Sequence, residues 1–183
     1  MKRILTTLLL ATTFVACKKQ NNEIKPVPTD IIKYFAYYHD NSSWQYIDTL
    51  NKTANTITIH TARVGEMVDS REQTFRAEGT GLVDEKGFVY NIGPNTVDLH
   101  SADAITESYM LLRYNNGIFY SDDGSTKIEI IPEMQVYMHK YTNVLHYHNP
   151  LRAIPDMWFA PYKGLIQYRK ANKTYMVKSI NAM

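Results

Sequence analysis

From Ile31 onward the chain alternates short apolar runs with polar clusters, and the period is that of strands. Thr56-Ile57-Thr58-Ile59-His60-Thr61 is the clearest case, with Ile57 and Ile59 on one face and the threonines and His60 on the other. Tyr34-Phe35-Ala36-Tyr37-Tyr38 reads as an aromatic strand that ends in the turn chemistry of His39-Asp40-Asn41-Ser42-Ser43. Strands are expected next at 44–50 and 56–61, and then at 88–90, 110–114, 118–120, 127–130, 134–141, 143–148, 165–170 and 174–180. Asn115-Asn116-Gly117 is a strong hairpin signal, since Asn-Gly tolerates positive φ. Asp122-Asp123-Gly124 makes the next turn. Only 101–108 has weak helical character, as a turn or one short helix. Short strands with turns every ~8–12 residues predict an all-β fold. The expected form is a curved antiparallel sheet, a sandwich or a half-open barrel, with at most one short helix.

The N-terminal pattern differs. Lys2 and Arg3 precede an apolar stretch over 4–15, shorter than the roughly 20 residues a membrane-spanning helix needs. This is the layout of a secretory signal. At its end, Phe14-Val15-Ala16-Cys17 resembles the lipobox of bacterial lipoproteins, with Phe14 in place of the more usual leucine. The resemblance implies cleavage before Cys17, a diacylglyceryl group on its sulfur and a fatty acyl chain such as palmitate on the freed amine. A thiolate is the side-chain nucleophile suited to that transfer, and several chains anchor far more firmly than one. An ordinary secretory signal with a coincidental cysteine is the alternative. The expected organisation is a cleaved signal peptide over 1–16, a lipid-anchored flexible tether over 17–30 and a single β-rich domain over 31–183. The tether is polar, holds Pro26 and Pro28, and reaches roughly 40 Å when extended.

Composition narrows the functional classes. Loss of Lys2 and Arg3 leaves 18 basic against 18 acidic residues, so the mature chain has no net charge. No clustered basic stripe points to nucleic acid. Cys17 is the only cysteine, which excludes an internal disulfide and a free catalytic thiolate in the mature form. Fourteen tyrosines exceed what one core needs. Because Tyr packs its ring while its hydroxyl bonds, a ligand-binding patch lined by Tyr37, Tyr46, Tyr120 and Tyr137 is expected. Evenly spread cross-strand pairs are the plainer alternative.

Two further stretches resemble a group of small Bacteroidota lipoproteins. Tyr34-Phe35-Ala36-Tyr37 followed by Trp44-Gln45-Tyr46 looks like their opening, and Trp158-Phe159-Ala160-Pro161-Tyr162-Lys163-Gly164-Leu165-Ile166 is similar to a segment near their C-terminus. The resemblance implies an envelope address and a β-fold, and transfers no catalytic residue. Physically, Trp44 and Trp158 read as core anchors.

No Gly-x-Ser-x-Gly, P-loop or His-Glu-x-x-His occurs, and Gly79-Thr80-Gly81 lacks the third glycine of a dinucleotide fingerprint. Histidine offers the best chemistry. His146 and His148, two apart, project from one strand face, and His139 on a neighbouring predicted strand is placed to lie opposite them. With Asp156 or Glu133, these three form a candidate zinc site with an open position. The simpler alternative puts Tyr147 and Leu145 in the core and both histidines in water. Asp48-Thr49-Leu50 resembles an O-glycosylation site of Bacteroidota exported proteins, with Thr49 as the acceptor.

Two functions remain open at this level: a lipid-anchored, non-enzymatic binding or interaction module, which is favoured, and a metal-dependent hydrolase built on the histidines. No cofactor other than zinc is in view. The expected partners are the membrane, through Cys17, and a small molecule or an envelope protein. Lys18 and Lys19 stand where family-type surface-export signals cluster acidic residues, which points to the outer membrane, facing the periplasm.

Overall fold

The computed structural model describes residues 26–36, 42–52, 54–68, 76–84, 88–101 and 108–181. The fold is all-β, as the alternation predicts: two antiparallel sheets, not closed into a barrel, with one short helix. The strands are β1 (Ser43–Asp48), β2 (Ala54–Val68), β3 (Arg76–Asp84), β4 (Phe88–Ile92), β5 (Thr96–Ser101), β6 (Ser108–Asn115) and β7 (Ile118–Tyr120). They continue with β8 (Lys127–Val136), β9 (His139–His148), β10 (Asp156–Ala160), β11 (Gly164–Lys170) and β12 (Lys173–Asn181). β1–β7 and β8–β12 are two meanders of sequence neighbours, joined by antiparallel pairing of β1 with β12. β2 takes part in both sheets, pairing with β1 in one and with β3 in the other. β7 and β8 are left as the two free edges.

The expected hairpin turn forms at Asn116 (φ 48) and Gly117 (φ 86), both left-handed. The predicted strand over 134–141 is corrected: the chain reverses at Tyr137 (φ 52) and Met138, between β8 and β9. No Gly, Pro or Asn marks this turn in the sequence. Pairing of β8 along the whole of β9, from Lys127–His148 to Val136–His139, decides it instead. Edge strand β8 contains Pro132, flanked by the pairs Ile131–Val144 and Glu133–Thr142. Proline has no N–H to donate, and edges tolerate that loss. Opposite it Asn143 turns left-handed (φ 52), and its carbonyl accepts the Tyr34 hydroxyl at 2.7 Å.

The aromatic segment at 34–36 is the second correction. It is helical: α1 (Thr29–Ile31) runs into a π-helical turn (Ile32–Ala36). Val27, Ile31, Tyr34 and Phe35 are all buried, at spacings of four, three and one that trace a helical stripe. Assigning residues up to 30 to a solvated tether hides Val27 and breaks that stripe. Phe35 packs against Phe159 of β10 at 4.7 Å and Phe119 of β7 at 5.9 Å. The Tyr114 hydroxyl donates to Asp30 at 2.8 Å. The segment thus ties the free edge at β7 to the other meander. The 101–108 expectation falls mainly on residues outside those described.

Trp44 and Trp158 are both buried within one core cluster, as expected of anchors. Removing the Phe35 ring takes contacts from both meanders at once. Phe35→Ala is expected to cost about 3–5 kcal/mol of stability, read by denaturant unfolding. Leu151→Ala, at an exposed loop position, should stay within about 0.5 kcal/mol of the parent.

Candidate metal site

Antiparallel register assembles the site. Glu129 (β8) pairs with His146 (β9), which pairs with Trp158 (β10); one step along, His148 pairs with Asp156, which pairs with Arg169 (β11). Residues two apart share a face, so these six side chains lie on one side of the sheet. The opposite side carries Tyr147, Met157 and Tyr168, all buried.

Asp156 is the centre. Its side chain is 6% exposed, and Oδ1 lies 2.7 Å from His148 Nδ1 and 3.1 Å from His146 Nε2. Arg169 Nη1 stands 3.0 Å from Oδ2, but off the line of a hydrogen bond, so Oδ2 has a neutralising charge and no directed donor. Burial opposes ionisation of this carboxyl. The hydrogen bonds from His148 and His146, with the charges of Arg169 and His148, outweigh it and hold the group below the usual carboxylate range.

His146 is fixed from three directions. Its ring stacks on Trp158 at 4.5 Å with an interplanar angle of 2°. Nδ1 lies 2.8 Å from Glu129 Oε1, and Nε2 faces Asp156. Both nitrogens therefore meet carboxylates, and both contacts are hydrogen bonds only if both nitrogens carry hydrogen. A metal ion at Nε2 removes that demand: it takes the lone pair, while Nδ1–H donates to Glu129. A carboxylate on the far nitrogen of a ligating histidine is the usual outer support of a metal site.

His146, His148 and Asp156 together form a group that can hold a metal ion, with one ligand atom from each within 4.8 Å of the others. Tetrahedral zinc with bonds of about 2.0–2.2 Å sets its ligands roughly 3.3 Å apart. The separations of 2.7 and 3.1 Å need to open by about 0.6 and 0.2 Å to meet that spacing.

The structure divides the residues expected from sequence. His146 and His148 come together with Asp156. The simpler alternative holds in part: Tyr147 and Leu145 are buried in the core, while the two histidine side chains lie on the other face, 16% and 35% exposed. His139 does not join them: β9 is continuous from His139 to His148, which puts His139 about 30 Å from His148 at the far end of the same strand. Glu133 is occupied there by Lys140 at 2.6 Å. Glu129 and Arg169 were not singled out from the sequence, because their place beside the histidines depends on register.

Among the described residues, the tyrosines expected to share a patch do not come together. Tyr46 is buried and donates to the Leu165 carbonyl. Tyr120 and Tyr137 are exposed, one at the end of β7 and the other in the β8–β9 turn, separated by the length of β8. Tyr37 lies outside the described residues. Thr49 sits exposed on the turn after β1, where the buried Asp48 accepts from Leu50 N at 2.9 Å.

The lowered Asp156 value links the site to pH. Its ionised form stabilises the fold fully above the unfolded value of about 3.9, and that contribution is lost as pH falls through the lower folded value. Asp156→Asn should therefore be less stable than the parent above about pH 4, with the gap shrinking as pH falls further. Urea unfolding across acidic pH reads this; a gap independent of pH would show that the charge contributes nothing.

The chain matches no protein-family model, no curated protein and no solved structure.

Proposed function

We propose that this chain is a lipid-anchored β-sheet module of the bacterial envelope that binds a divalent metal ion, zinc by its donor chemistry, through His146, His148 and Asp156. The observation that carries the metal reading is the geometry at His146. Trp158 and Glu129 hold the ring so that Nε2 points at the same place as His148 Nδ1 and Asp156 Oδ1. Two imidazoles and one carboxylate suit zinc and leave a fourth position open. That position is where a ligand or an envelope protein would bind, supplying the last donor.

Binding is favoured over hydrolysis by the placement of Glu129. A general base that assists a metal-bound water must reach that water. Glu129 lies on the Nδ1 side of His146, with the imidazole ring between it and the ligand cluster. Attachment to the membrane is supported by the lipobox-like Phe14-Val15-Ala16-Cys17 and by the likeness to small Bacteroidota lipoproteins. The outer membrane, facing the periplasm, is the favoured location.

Two measurements test the two halves of the proposal. Zinc at a hundredfold excess over its dissociation constant should add about 2.7 kcal/mol, or roughly 5–10 °C in melting temperature for a domain of this size. His148→Ala and Asp156→Asn should abolish that increment, and His139→Ala should leave it intact. No zinc-dependent shift in the parent protein would remove the metal reading. For the anchor, Cys17→Ser should lose incorporation of labelled fatty acid, and equal label in both proteins would overturn it.

A further inference from the structure

The ends of the sheet differ. Strand direction alternates, so the β8–β9 turn (137–138) and the β10–β11 turn (161–163) fall at one end. The start of β1 falls there too, because Ser43 pairs with Asn181 at the close of β12. The helical segment is held at the same end, where Tyr162 N donates to Lys33 O at 2.7 Å. Lys33 and Ser43 are therefore both at this end. His148 and Asp156 flank the loop at the other.

At this end a cavity of about 390 Å³ is lined by Lys33, Lys140 and Lys163 together with Tyr141 and Tyr162. Lys140 pairs with Glu133, and the Lys33 ammonium stands 5.5 Å over the Tyr34 ring. Three ammonium groups against one carboxylate leave the cavity cationic. Beside it project Met138, 77% exposed, and Tyr137. Lysines beside an exposed Met and Tyr match a lipid–water interface. A soluble anion would use the charges but not the apolar tips.

We propose that this end is a membrane-docking surface: the lysine-lined cavity receives the phosphate of an anionic phospholipid headgroup while Met138 and Tyr137 enter the interface. The inference rests on the lipid anchor at Cys17. Eight residues lie between Cys17 and Pro26, a span of roughly 30 Å at most, so an anchored chain keeps the domain close to the bilayer. Basic residues held that close are drawn to anionic lipid. Docking by this end turns the histidine–aspartate end away from the membrane.

The test uses the full lipidated protein in vesicles. Because Cys17 is the sole cysteine and is consumed by acylation, Met138→Cys introduces one free thiol for an environment-sensitive fluorophore. Leu151→Cys, at an equally exposed site at the opposite end, is the control. In vesicles of phosphatidylethanolamine mixed with phosphatidylglycerol, the probe at 138 should be blue-shifted. It should also be quenched severalfold more by acyl-chain nitroxide than the probe at 151. Phosphatidylethanolamine alone, or Lys33→Gln, Lys140→Gln and Lys163→Gln together, should return it to water. Equal solvation of the two probes in acylated protein would overturn the docking proposal while leaving the anchor standing. Blue shift at 138 that survives loss of all three lysines would overturn the headgroup site. Absence of acyl mass on the protein would remove the anchor and this proposal with it.

Discussion

The pairing of β1 with β12 is the constraint on which the architecture depends. Each meander is built from sequence neighbours, but this ladder joins residues 43–48 to residues 175–181. Closing so long a loop costs entropy before any contact repays it. Side chains reinforce the ladder: the Trp44 indole donates to the Lys163 carbonyl at 2.8 Å, and Tyr46 reaches the Leu165 carbonyl. The Tyr46 ring meets Tyr168 edge-on at 5.3 Å, and Tyr168 stacks on Tyr175 at 4.7 Å. These aromatic donors cross β12 to the start of β11, so the seam involves three strands. The seam also fixes the end at which β1 begins, the end that carries the β8–β9 and β10–β11 turns.

Among the described residues, the buried carboxylates Asp48 and Asp156 are both compensated. Asp48 turns its carboxylate to Leu50 N and Asn51, with Lys173 at 3.4 Å. Asp156 is surrounded by two imidazoles and a guanidinium. A buried carboxylate without such partners would neutralise instead. The two sites differ in what their partners are. Backbone and amide donors at Asp48 close a turn, whereas the imidazoles at Asp156 are themselves metal ligands, and Oδ2 has no directed donor. That difference separates a structural acid from a candidate site.

The fold class, the hairpin at Asn116-Gly117 and most strands are legible from local patterns, because alternation and left-handed turn residues act over a few positions. His146 and His148 were legible as a pair for the same reason: residues two apart on a strand must share a face. The helical stripe of Val27, Ile31, Tyr34 and Phe35 was present too, but two prolines and a polar stretch masked its first member. The turn at Tyr137-Met138 has no local signal at all. Read without that turn, the sequence sets His139 across from the other histidines instead of on their own strand.

Residue types and their local order thus determined, by sequence alone, an all-β chain with two histidines on one strand face. Which side chains meet was decided by register across strands. Asp156 lies eight residues from His148 and Glu129 lies seventeen from His146, and a one-residue slip in either pairing would turn them to the opposite face. The burial of Tyr46, the separation of Tyr120 from Tyr137 and the distance of His139 from the site follow from the same pairings. Hydrogen bonds between strands set these relations, and their energy depends on partners remote in sequence, which no local window contains.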